Sequence, residues 1–91
     1  MFHTAEEKKL VLGRMQRIRG QCDAISRALE AGSDCGPVLQ QIAAVRGAIN
    51  GLMSEVMEAH IRETFGKAAE SENQRSAQVV EMTSLIRSYL R

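Results

Sequence analysis

Four side chains in this sequence are soft enough to hold a transition metal or to attack an electrophile: His3, Cys22, Cys35 and His60. Cys35 stands in Asp34-Cys35-Gly36-Pro37, where a new helix is expected to begin. Free N–H groups and the helix dipole at such a point favour a thiolate, the better nucleophile and the better metal ligand. Cys22 recurs in phase with apolar residues and reads as a small buried hydrophobe. His60 follows Val56 at helical spacing, at the edge of an apolar stripe, and shares its face with Glu63 and Thr64. A second histidine at 64 would complete an i,i+4 metal pair; Thr64 is a poor ligand, so that pattern is missing. His3 precedes the first expected helix and could swing onto a site. No Gly-rich phosphate loop, HExxH or CxxC is present, and no Ser–His–Asp arrangement can be drawn, so an enzyme is not expected.

The elements that must position these groups are helices. Thr4-Ala5-Glu6-Glu7 matches a capping box, with Thr4 as N-cap. Val11, Met15, Ile18, Cys22, Ile25 and Leu29 then recur at alternating spacings of four and three, a heptad seam. Gly32 is placed to end this helix in a left-handed cap. Pro37 suits a first turn, where its missing N–H is not needed. Val38, Ile42, Val45, Ile49, Leu52, Val56 and Ala59 form a second seam, with Gly47 and Gly51 inside it on a small-residue surface. After a polar linker from Gly66 to Glu72, Val79, Val80, Met82, Leu85, Ile86 and Leu90 mark a shorter third helix. The pattern predicts one all-α domain over 1–91, with helices over about 4–30, 36–65 and 73–90.

Geometry then bears on assembly. A helix of about 29 residues is roughly 43 Å long. A compact globule of this chain length has a radius of gyration near 12 Å, hence a diameter of about 30 Å. The second helix does not fit inside such a globule, and a lone hairpin would leave both seams wet. Helices of different chains are therefore expected to pack into a bundle. Cys35 and His60 lie about 37 Å apart along one helix. If two such helices pair antiparallel between chains, Cys35 of one meets His60 of the partner subunit, and a shared site crosses the interface.

The 91 residues are 44% apolar and 25% charged, a folded composition, with 3% aromatic residues. So few aromatics argue against a base-stacking single-strand binder. No apolar run is long enough to span a bilayer, so no membrane partner is expected. The opening Met1-Phe2-His3-Thr4-Ala5-Glu6-Glu7 turns acidic and helical too soon for a signal peptide, which points to the cytoplasm. Net charge is only +1, yet Lys8, Lys9, Arg14, Arg17 and Arg19 fall in a stretch without an acid. That local stripe fits a polyanion-binding face or a solvated helix side. A plain helical oligomerisation module with no role on DNA is the alternative that the charge pattern leaves open.

Several stretches occur together: Arg14-Met15-Gln16-Arg17-Ile18-Arg19-Gly20-Gln21, then Cys35, then Val38 through Met53 with its Gln40-Gln41-Ile42-Ala43-Ala44-Val45-Arg46-Gly47 centre. His60-Ile61-Arg62-Glu63 and Leu85-Ile86-Arg87-Ser88-Tyr89-Leu90 complete the set. With them the whole chain resembles the CsoR/RcnR/FrmR family of bacterial metal- and formaldehyde-sensing transcriptional repressors. The resemblance implies a three-helix protomer, an antiparallel four-helix-bundle dimer, and a homotetramer made of two dimers. It implies double-stranded operator DNA as partner, released when an effector binds at the dimer interface.

The resemblance also assigns residues. Arg14, Arg17 and Arg46 would contact DNA, supported by Lys8, Lys9 and Arg19, chiefly at phosphates. The effector positions hold His3, Cys35 and His60, with Thr64 where nickel- and cobalt-sensing members carry histidine. His3, Cys35 and His60 would hold a transition metal, Ni(II) or Co(II) first, with copper or zinc also within their chemistry. In formaldehyde-sensing members, one carbon bridges the Cys thiolate to an N-terminal Pro amine. Here Phe2 stands at that Pro position, so the reacting pair would be Cys35 and the amine of Met1.

Overall fold

Thr4 starts the first helix as its spacing predicts. Its backbone is extended (φ −130°, ψ 157°), and its Oγ1 accepts a hydrogen bond from the Glu7 N–H at 3.0 Å. One of the four orphan donors of the first turn is thereby satisfied. Helix α1 then runs over Ala5–Glu30. Gly32 ends it at φ 73°, a left-handed conformation that suits a residue without Cβ. The Gly32 N–H donates to the Leu29 carbonyl at 3.1 Å and the Ser33 N–H to the Ala28 carbonyl at 3.0 Å. These two bonds make a Schellman cap and turn the chain back within a few residues.

Helix α2 is Cys35–Phe65, so Cys35 is its first residue and Pro37 falls in its first turn. Helix α3 is Glu72–Tyr89. Ser71 caps it, accepting from the Gln74 N–H at its Oγ (3.0 Å) and from the Arg75 N–H at its carbonyl (3.1 Å). The protein, seen here as a computed structural model, is described over residues 4–65 and 70–89. Among these residues all regular structure is α-helical, and no helix is long and apolar enough to cross a membrane. Leu90, read above as the last apolar residue of α3, lies outside the described residues.

These residues form two compact units, one ending at Met57 and the other starting at Glu58. In the first, α1 and the leading part of α2 form a hairpin. Its inward rows are half-buried or buried: Val11, Ile18, Gln21, Ile25 and Ala28 on α1, and Val38, Gln41, Val45, Ala48, Leu52 and Glu55 on α2. Both rows keep the four-three spacing. Each takes only half of the expected seam, however. Met15, Cys22 and Leu29 on α1 and Ile42 and Ile49 on α2 are exposed. The reading of Cys22 as buried is therefore corrected for the single chain, because its row points away from the hairpin.

In the second unit the last turns of α2 pack on α3. Ala59 (0% exposed) and Met82 (8%) are its buried residues. The Arg75 guanidinium stacks over the Phe65 ring at 5.4 Å, tying the end of α2 to the start of α3.

Candidate functional site

His60 sits on the penultimate turns of α2, half-buried, and is held from outside its own helix. Its Nε2 lies 3.0 Å from Glu81 Oε1 on α3. A carboxylate accepts, so the favoured neutral ring carries its proton on Nε2 and leaves the Nδ1 lone pair free to bind. His60, Glu63, Thr64 and Glu81 line one open cavity of about 460 Å³, together with Gln74 and Gln78. The expected sharing of one face by His60, Glu63 and Thr64 is thus seen. Gln78 Oε1 is a buried oxygen with no partner within the described residues.

Cys35 is exposed and unbonded to any other cysteine, at the first position of α2. Among the described residues, no group of three or more His, Cys, Asp or Glu side chains comes within reach of one metal ion. His3 and Met1, assigned above to the metal site and to the formaldehyde reaction, lie outside the described residues.

The basic residues are all exposed: Lys8, Lys9, Arg14, Arg17 and Arg19 on α1 and Arg46 on α2. They do not form one line. At 3.6 residues per turn, Lys8 and Arg19 share one side of α1 while Arg14 and Arg17 share another. Lys9, Arg14 and Arg17 line an open groove of about 690 Å³ with Glu6, Leu10, Gly13 and Glu55. Arg14 is tethered there, its Nε donating to Glu55 Oε1 at 2.8 Å. On α2 itself, Arg62 pairs with Glu58 one turn earlier at 3.1 Å.

Sequence reasoning missed Glu81 and Glu55. Each meets its partner from another helix, 21 and 41 residues away, and local spacing carries no trace of such pairs.

A family model described as metal-sensitive transcriptional repressor matches residues 7–88. A protein of Serratia marcescens, described only as an uncharacterized protein in the bioA 5′ region, is 47% identical over 91 residues, all of both chains. A transcriptional repressor RcnR homolog of Escherichia coli O139:H28 is 46% identical over 63 residues, 69% of this chain and 70% of that one. Among solved structures, a variant of the formaldehyde-responsive regulator FrmR from Salmonella enterica serovar Typhimurium superposes with a TM-score of 0.81. It is 48% identical, and the match covers 96% of this chain and 98% of that one.

Proposed function

The chain belongs to the metal-sensitive transcriptional repressors, and from that premise we propose that a transition metal, nickel or cobalt first, releases it from operator DNA. The observation that carries the metal reading is the Glu81–His60 contact. A carboxylate behind an imidazole fixes the tautomer and ring orientation that a metal ligand needs. The exposed Cys35 thiol supplies a soft donor. His3 and Cys35 of one chain and His60 of the partner subunit would hold the ion, with water or the terminal amine completing its shell. The bound ion would tie the two chains together in one arrangement. DNA is released when that arrangement binds operator less well than the metal-free one, the effector shifting the equilibrium by its difference in affinity.

The DNA-facing groups in this reading are Arg14, Arg17 and Arg46, with Lys8, Lys9 and Arg19 around them. They are exposed cations suited to phosphate oxygens rather than base edges, so salt should weaken binding steeply. With few groups placed to read bases, DNA shape would supply part of the specificity.

A second reading is formaldehyde sensing, favoured by the likeness to the formaldehyde-responsive regulator over 96% of this chain. The Cys35 sulfur and the Met1 nitrogen would each bond the aldehyde carbon, forming an N–CH2–S bridge and releasing one water. Fluorescence anisotropy of labelled DNA from upstream of this gene separates the two readings. Metal-free protein should raise the anisotropy, and one equivalent of Ni(II) or Co(II) per subunit should return it to the free-DNA value. If both metals leave the complex intact and formaldehyde dissolves it, the second reading replaces the first. If metal-free protein never binds that DNA, the repressor assignment for that operator fails.

A further inference from the structure

Arg14 reaches its place by lying across a glycine. A Cβ added at Gly51 would stand 2.9 Å from Arg14 Nη1, closer than such atoms approach, and 3.9 Å from its Cζ. One turn further along α2, Glu55 Oε1 accepts from Arg14 Nε at 2.8 Å. Glu55 Oε2 is buried without a hydrogen-bond partner within the described residues. A half-exposed ion pair of this kind adds little to stability. Its cost is real: a glycine inside a helix and an unsatisfied carboxylate oxygen, each unfavourable. The arrangement makes sense as a device for aiming Arg14.

We infer that Gly51 and Glu55 are positioning residues that hold the Arg14 guanidinium ready for a DNA phosphate. This rests on the reading of Arg14 as a DNA-binding residue. With Nε engaged by Glu55, the two terminal nitrogens form the edge left for a phosphate, and a guanidinium grips phosphate in a two-pronged manner. Gly51 provides the room. An arginine already ordered loses less side-chain entropy on binding than one free in solvent. The Glu55 charge opposes a nearby phosphate, so its effect on DNA affinity has two parts: an acceptor that aims Arg14 and a charge that repels DNA.

Substitutions separate these parts, read by DNA anisotropy alongside circular dichroism and thermal unfolding. Gly51→Ala replaces the glycine with a better helix former. The clash falls on the movable end of Arg14, so the protein should fold and hold its unfolding temperature or gain. Its DNA affinity should nonetheless drop by about three- to tenfold, the scale of one exposed charge-assisted hydrogen bond. Glu55→Gln and Glu55→Ala both remove the charge, but only Gln keeps an acceptor for Arg14 Nε. The Gln variant should bind DNA several-fold more tightly than the Ala variant. In an Arg14→Ala background, Gly51→Ala should have no further effect on affinity. Two failures are distinct. If Arg14→Ala alone leaves affinity and salt dependence unchanged, the reading of Arg14 as a DNA-binding residue fails. If Arg14→Ala weakens binding while Gly51→Ala does not, or the two Glu55 variants bind alike, the positioning role fails and Arg14 keeps its place on DNA.

Discussion

His60 Nε2 and Glu81 Oε1 stand 3.0 Å apart, joining the last turns of α2 to α3. The contact makes α3 part of the proposed effector site, although none of the ligand positions lies on it. Both side chains are open to solvent, 36% and 55% exposed, so the contact orients the ring more than it stabilises the fold. Glu81→Ala should therefore lower metal affinity by about 10- to 100-fold, the usual effect of removing a carboxylate behind a metal-bound histidine. DNA binding by metal-free protein should stay as it was. Competition against a coloured metal indicator measures the first, and anisotropy the second. Unchanged metal affinity would exclude His60 Nδ1 as the donor that Glu81 prepares.

Cys35 is exposed and opens α2 away from the basic residues of α1 in sequence. Cys35→Ala should leave DNA affinity within about twofold, since surface substitutions away from a binding face are nearly neutral. The response to both metal and formaldehyde should vanish, because both chemistries need the sulfur. A variant that still releases DNA normally would place the sensor elsewhere.

Why the sequence reveals some of this and hides the rest follows from the range of each interaction. The caps are legible because they are local: Thr4 with Glu7, and Gly32 at φ 73°. The Ser71 cap of α3 is equally local, in Ser71-Glu72-Asn73-Gln74, yet the apolar pattern alone puts the start two residues past it. The heptad spacing identifies α1 and α2 but not which rows face each other. Val11, Ile18 and Ile25 turn inward, while Met15, Cys22 and Leu29, equally apolar, turn outward. Position 14 belongs to the inward set by spacing and carries arginine, which a hydrophobic pattern cannot assign. The pairs Arg14–Glu55 and His60–Glu81 exist only once helices pack, so no local window contains them.

The groove around Arg14 and Arg17 gives a test of the DNA face. Replacing both with glutamate should reduce DNA affinity by orders of magnitude and flatten its salt dependence. Each phosphate left without its cation takes about 0.9 from the slope of log K against log salt. Sedimentation of the doubly substituted protein should match that of the unaltered one. Retained DNA binding would place the DNA face elsewhere on the molecule than the groove around Arg14 and Arg17.

The Thr4 cap predicts a stability effect without a functional one. Thr4→Ala removes the acceptor for the Glu7 N–H and should cost about 1 kcal/mol. The midpoint of thermal unfolding should fall by a few degrees, compared at equal protein concentration because association shifts it too. Metal response should be unaltered. An unchanged midpoint would mean that the first turn is held by other contacts.

The outward rows bear on assembly. Leu29 is 61% exposed, Met15 43%, Ile42 47%, Ile49 43% and Met53 43%. Scattered single apolar residues are ordinary, but rows at heptad spacing on two neighbouring helices form a seam that no described residue covers. Burying the exposed half of each is worth about 1 kcal/mol, and several together are enough to drive association. A second copy of the chain carries the same seam, and self-complementary pairing is the common route to a symmetric dimer. Sedimentation at micromolar concentration should show a tetramer. Ile42→Glu with Ile49→Glu should break it to smaller species, because each copy would bring charges into an apolar seam. A folded monomer before any substitution would refute the shared effector site, since Cys35 and His60 open and close the same helix and would have no second chain to bring them together.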